Sequence, residues 1–406
     1  MSSGIWKNRS FVFVWLGNGV SELGGAFGTF CNSILIYQLT NSTMALGSMW
    51  LLYFLPSLIL QLFIGPFVDR WSRKWIMIFS QWARGLIFLI PLVALLMGNL
   101  ETWHIYAVQI IVGLITPIYT PANQAITPTI VCKEQLSTAN AYIDGTVRLV
   151  TFLAPILGGF VVEYIGVIPT LIFVSVVLIT SGTLLLLIKE TKVTTDVRKI
   201  WIEQFIEGIS YFFKHPIIVW LGVFLAFVQF GVGVTMVITL PYITEELSGS
   251  YSEYGYFMAG FPLGYVVGSI LVGKVTYKSR RVVMLGALVV GGLTFISLSI
   301  NHSIILAILT EIIAGAAMAF FSVQNITIIQ QTVPNNLMGK VSSVRLFIIR
   351  GAMPLGVFVG SFFAEIWGIR TLYLMIGSII CATALLGIFL PYFKFIDSNI
   401  DENMAS

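Results

Sequence analysis

The residues with chemistry to offer are few, and they stand where charge is expensive. Glu22 lies midway through the apolar run 11–38, with Asn18 four positions before it. Asp144 and Arg148, also four apart, lie inside the run 137–162. That spacing places the members of each pair on one face of a helix. Glu311 falls within 303–326, Arg345 and Arg350 within 339–364, and Arg84 within 75–97. A charge at the centre of a bilayer costs about 3 kcal/mol or more, so such residues are functional candidates by default. A buried carboxyl can exchange a proton, and Glu22, then Glu311, are the first choices for that work. Asp144–Arg148 reads equally as an ion pair that holds helices together, and Arg84 reads as structural. Glu163 and Glu365, near the outer ends of their runs, are expected to be wetted.

A second group is a knot of charge. In a chain with only 10% charged residues, Asp69, Arg70, Arg73 and Lys74 follow Gly65 between two apolar runs. Basic residues there could serve only to anchor the loop on one side of a membrane. That leaves Asp69 unexplained. A latch in which Asp69 meets a basic group and caps a helix end accounts for both signs of charge. The third group is Ala154-Pro155-Ile156-Leu157-Gly158-Gly159. Pro155 removes a backbone hydrogen bond, and Gly158 and Gly159 permit close helix approach, so a kink is expected there.

These residues are carried on apolar helices. The chain has 406 residues, 57% of them hydrophobic, and a mean hydropathy of +0.93. No soluble interior could hide so much apolar surface. The expected class is an all-α membrane protein with twelve transmembrane helices, at about 20 residues per crossing. Their approximate limits are 11–38, 45–67, 75–97, 103–123, 137–162, 167–188, 216–243, 252–273, 282–300, 303–326, 339–364 and 369–393. The runs are too long, and too little alternating, for a barrel. The first run is also too long for a cleavable signal.

Lys and Arg concentrate on one side. With the N-terminus inside, that side holds Lys7, Arg9, the 70–74 cluster, Lys189, Lys192, Arg198, Lys199, Lys278, Arg280, Arg281, Lys340 and Lys394, among others. The outer loops hold only Arg370, with Glu101, Glu245, Glu246 and Glu253. Both termini are therefore expected in the cytoplasm. The expected domains are an N-terminal six-helix bundle at 1–188, a linker at 189–215, a second bundle at 216–393 and a tail at 394–406. In the linker, Ile200, Trp201, Phe205, Ile209 and Phe212 recur at helical spacing, which suggests an amphipathic helix along the membrane surface.

Other chemistries lack their residues. Cys31, Cys132 and Cys381 are far apart and read as packing residues. Three histidines, His104, His215 and His302, form no cluster with ligand spacing, so no metal and no cofactor is expected. There is no phosphate-binding glycine loop ending in Lys-Ser or Lys-Thr. The net charge of +4 is small and dispersed, so nucleic acid is not an expected partner. No enzyme is expected.

The two halves look duplicated. Trp15-Leu16-Gly17 recurs as Trp220-Leu221-Gly222, and Arg148, Gly158, Glu163 and Gly166 recur at one offset as Arg350, Gly360, Glu365 and Gly368. With the loop pattern G-x-x-x-D-R-x-x-R-K at 65–74, this resembles the major facilitator superfamily. Further motifs are Thr120 to Pro128 running into Glu134-Gln135-Leu136, then Phe205-Ile206-Glu207-Gly208 ahead of His215-Pro216, and Gly339-Lys340-Val341-Ser342. They are similar to the branch containing macrolide-efflux proteins and the enterobactin exporter.

The resemblance implies two pseudo-symmetric six-helix bundles that rock around a central cavity. It implies a secondary active transporter of the bacterial plasma membrane, working as a monomer. Its partners would be the lipid bilayer, protons as coupling ion and a small lipophilic or amphipathic substrate such as a drug, macrolide or siderophore. The segment at Pro155 is similar to an element associated with exporters, with Ala154 in place of glycine. Alternatives are a proton symporter importing a metabolite, and a receptor or scramblase that transports nothing. Because the first and fifth helices are neighbours in that fold, Glu22 is expected to pair with Arg148, with Asp144 competing for the guanidinium. Three departures stand out: Ser72 where the loop motif usually has glycine, Tyr277 opposite Asp69 in the second half, and Gln109 where many drug/proton antiporters carry arginine.

Overall fold

The computed structural model describes residues 4–190, 201–275 and 278–397. Side chains at 62, 65–70, 201–205, 335–336 and 395 are outside the description. Among the described residues there is no strand. The described residues form fourteen α-helices: α1 (Arg9–Thr40), α2 (Thr43–Arg70), α3 (Arg73–Ile87), α4 (Leu89–Leu96), α5 (Thr102–Ile130), α6 (Leu136–Tyr164), α7 (Val167–Leu185), α8 (Trp201–Lys214), α9 (Pro216–Pro241), α10 (Tyr251–Val272), α11 (Arg280–Ile300), α12 (Ile304–Thr332), α13 (Asn335–Trp367) and α14 (Ile369–Phe389). The third expected span is α3 and α4 in series, interrupted at Phe88. α8 falls in the expected linker.

Among the described residues eleven spans are long and apolar enough to cross a membrane, and α1 is not among them. The reason is visible in its residues. α1 carries Asn18, Ser21, Glu22, Asn32 and Ser33 along with several glycines, and all but Glu22 of those five are buried. A helix this polar is stable in a membrane only when other helices surround it. α1 packs on α7, α6, α5 and α2, so it is the central element of the N-terminal helices.

The chain divides into two compact units, Met1–Asp196 with Ser250–Ala259, and Val197–Gly249 with Gly260–Ser406. In the first, α3 packs on α7 and α5, and α2 on α5. In the second, the main pairs are α9 with α13, α11 with α14 and α12, and α8 with α13. Glycine sets the closest approach. On α9 and α13 the notches are reciprocal: a Cβ on Gly233 would overlap the Met353 carbonyl, and one on Gly356 would overlap that of Phe230. Small residues let helix backbones meet where lipid offers no hydrophobic drive for association.

Candidate functional site

The candidate site is a polar cluster inside the first unit. α1 presents Asn18, Ser21 and Glu22 toward α3 and α5. Tyr119 of α5 donates its hydroxyl to Asn18 Oδ1 at 2.8 Å. Gln81 of α3 donates through Nε2 to Ser21 Oγ at 2.7 Å, with both groups buried. One turn on, Arg84 Nη1 approaches Gln81 Oε1 at 3.5 Å. Arg84 also lies over Gly25, where a Cβ would come within 2.7 Å of Nη2. Gly25 is one turn from Glu22 on the same helix, so the guanidinium lies near that carboxylate.

This corrects the expected partner. Arg148 and Asp144 both lie on exposed faces of α6, and among the described residues neither forms an ion pair. Arg84, read as structural from sequence, is the basic residue that lies near Glu22, over Gly25. Glycine at position 25 makes room for it, and that complementarity was invisible before the helices were packed. Arg350 lies on an exposed face of α13. Glu311 sits half-buried on α12, its Cβ 3.1 Å from where a Cβ on Gly260 would stand, far along the chain from the Glu22 cluster. Arg345 donates to Asn325 Oδ1, and Asn325 Nδ2 donates to the Leu221 carbonyl at 3.2 Å, tying α13, α12 and α9.

The segment 65–74, which covers the end of α2 and the start of α3, is described in part. The side chains of Gly65, Asp69 and Arg70 lie outside the described residues, so the Asp69 latch is not visible. What is visible is a clasp that the sequence reading missed. Ser72 caps α3, accepting from Trp75 N at 3.3 Å, and donates to Glu190 Oε2. The Glu190 carboxylate also accepts from Arg73 N at 3.0 Å and Lys74 N at 3.3 Å. Lys74 Nζ in turn donates to the Leu186 and Ile188 carbonyls, each at 2.7 Å, at the end of α7. An acid thus covers the amide end of one helix and a base the carbonyl end of another, as their partial charges favour. The substitution of glycine by Ser72 supplies the cap.

The second unit repeats the device. Ser279 caps α11 and donates to Asp397 Oδ1 at 2.8 Å, and Arg281 N donates to the same oxygen at 2.9 Å. Arg281 Nη1 reaches the Leu390 carbonyl at 3.3 Å. Tyr277, the expected counterpart of Asp69, lies outside the described residues. At the opposite end of this unit Arg370 gathers several groups. It bonds Glu246 Oε2 at 2.7 Å, the Ser299 and Asn301 carbonyls at 3.2 and 2.6 Å, and His302 Nδ1 at 3.2 Å.

Pro155 and Gly159 are placed at a contact. Within the first unit, a Cβ on Gly159 would overlap the Tyr251 carbonyl, and a Cβ on Gly255 would overlap that of Pro155. Gly158 faces the Phe30 ring, which would lie 3.4 Å from a Cβ placed there. Glu163, expected to be merely wetted, accepts from Ser252 N at 2.8 Å and so caps the start of α10. Gln38 Nε2 donates to the Tyr251 hydroxyl at 2.9 Å, and Phe30 stacks on Tyr254.

The whole chain matches one family description. The model of the transmembrane secretion effector family, a family of major facilitator transporters, aligns with residues 4–405. The chain belongs to that family. It is a multi-pass membrane transporter, not an enzyme. Macrolide efflux protein A of Streptococcus pyogenes is 24% identical over 394 residues, 94% of this chain and 95% of that protein. An uncharacterized transporter of Bacillus subtilis, YvqJ, is 26% identical over 398 residues, 96% of this chain and 93% of that protein. Among solved structures, a mutant of the nucleoside transporter NupG superposes with a TM-score of 0.76 at 14% identity, over 94% of this chain and all of that one. At that identity the likeness bears on fold alone.

Proposed function

We propose that this secretion effector family member is a proton-coupled exporter of a lipophilic or amphipathic compound. In this reading it works as a monomeric antiporter of the bacterial plasma membrane with both termini in the cytoplasm. The observation that carries the reading is the polar cluster around Glu22: Arg84 of α3 lies against Gly25, one turn from the acid, beside a buried tyrosine and amides. The efflux relative, similar over nearly its whole length, supports the direction of transport. The bundles at 1–188 and 216–393 move against each other, and the segment 189–215 joins them.

The cycle then follows from charge. With Glu22 ionised, Arg84 is its counter-ion and the cluster is neutral. A proton arriving from outside converts the carboxylate to the acid, and Arg84 carries an uncompensated charge. That imbalance destabilises the cluster and is relieved when the proton leaves toward the cytoplasm.

The test uses inverted membrane vesicles with an imposed proton gradient and a labelled macrolide. The expected result is gradient-driven accumulation that Glu22→Gln removes. Accumulation that ignores the gradient in the wild-type protein would end the proton-coupled reading.

A further inference from the structure

We infer that the interior of the first unit holds a chain of ordered waters along α1, from Asn18 past Glu22 and Arg84 to Asn32, and that protons reach Glu22 along it. The second half of this inference rests on the proton-coupled reading above; the first half does not. Asn18, Glu22, Gly25, Thr29 and Asn32 recur at steps of four, three, four and three. Such steps keep them on one narrow face of a helix. The stripe runs roughly 21 Å at 1.5 Å per residue, most of the way through a membrane.

Polar atoms along this stripe have valences that the protein does not fill. Asn32 is 0% exposed, and neither its Oδ1 nor its Nδ2 has a hydrogen-bond partner. Asn18 is 3% exposed; Tyr119 takes its oxygen, while Nδ2 has no partner. Arg84 Nε, between them, is buried and also without one. Ser175 of α7 is a fourth, 3% exposed, with a bare hydroxyl. Its backbone carbonyl is 3.0 Å from where a Cβ on Gly85 would stand, so it lies beside the helix turn that carries Arg84. Buried polar groups in proteins are almost always hydrogen-bonded, and where no protein group serves, water does. Such groups near both ends of the stripe, with Glu22 and Arg84 between them, suit a file of waters, each holding its neighbour.

The titratable and hydroxyl groups on the helices around Glu22 can be named. Arg84 comes from α3 and Tyr119 from α5. α7 offers the hydroxyls of Ser175 and Ser181, and Ser181 is committed to the Gly17 carbonyl at 2.7 Å. α2 carries Tyr53, and α6 carries Asp144 and Arg148 on exposed faces. Glu22 is thus the acid on the stripe itself. A proton entering at either end passes from water to water, each accepting one and releasing another, and ends on a Glu22 carboxylate oxygen. The second unit carries Phe227 where the Trp-Leu-Gly repeat aligns Glu22.

Hydroxyl-radical footprinting of the full-length protein in nanodiscs reads buried water directly. The probes are Tyr119, bonded to Asn18, and Phe88, whose ring covers Gly28 near the far end. Tyr242 and Tyr373, fully buried in the second unit, are the controls. Labelling of Tyr119 and Phe88 well above the controls is expected, and Asn32→Leu should abolish the excess at Phe88. Tyr119 and Phe88 protected like the controls would overturn the water chain. Vesicle transport is measured on the same variant. Asn32→Leu should slow proton-driven transport while leaving binding of the labelled macrolide unchanged. Lost labelling with unaltered transport would overturn the proton route. If wild-type transport ignores the gradient, the proton-coupled reading and the route fall together, while the footprint still decides the waters.

Discussion

Glu190 accepts a hydrogen bond from the hydroxyl of Ser72, 118 positions earlier, and Asp397 accepts one from Ser279 across the same 118 positions. The identical separation shows one device used twice. Each acid lies within four residues of the end of the last apolar run of its half, and each serine caps a helix. The clasps tie α3 to the end of α7, and α11 to the segment after α14.

Removing either acid leaves two or three amide and hydroxyl groups without an acceptor. Glu190→Ala and Asp397→Ala should each cost about 1–2 kcal/mol, the range of a lost helix cap. Thermal unfolding in detergent measures it. Because the two clasps are independent, the double variant should lose the sum within about 0.5 kcal/mol. A double variant no worse than either single one would mean that the clasps act as one.

Lys74 and Asp69 should separate. Lys74→Gln removes the cation from the α7 carbonyls and should lower stability with little change in turnover per folded molecule. Asp69→Asn leaves the basic residues that set topology and should impair transport while insertion stays intact. Vesicle efflux beside a surface-labelling topology assay reads both. Full transport by Asp69→Asn would remove the latch.

Arg84 and Glu22 should be coupled. Arg84→Ala alone leaves a carboxylate without its counter-ion, and Glu22→Gln alone leaves a lone guanidinium. The double variant removes both charges and should recover expression that Arg84→Ala loses, with a coupling energy of about 0.5–3 kcal/mol. Folded yield from size-exclusion traces gives the comparison. Strict additivity would argue that the two side chains do not sense each other.

The notch between α6 and the start of α10 is open to a steric test. Gly159→Ala and Gly255→Ala place a methyl against a backbone carbonyl and should each cost about 1–3 kcal/mol. Gly145→Ala and Gly351→Ala meet nothing within 4 Å and should be neutral or gain up to about 1 kcal/mol from helix propensity. Cysteine cross-linking between 159 and 251 flanking positions would show whether the bulky variants also hold this contact apart.

Much of the fold was legible because crossing a bilayer is a local demand. Each helix must supply its own apolar length, so hydropathy found eleven spans, and charge asymmetry with the loop motif found the family. α1 was found as well, although its own residues are too polar to qualify by length and composition. Pairing across helices is a different kind of fact. Whether Glu22 meets Arg84 or Arg148 depends on how α1, α3 and α6 are rotated about their axes. No local pattern records that angle; it follows from where Gly25 and Gly85 let neighbouring helices in. The clasp partners of Ser72 and Ser279 were hidden for the same reason. An acid just past an apolar run looks like any wetted loop residue until the chain returns to place it over a helix end. Sequence thus determined which segments enter the membrane, and tertiary packing decided which charges meet there.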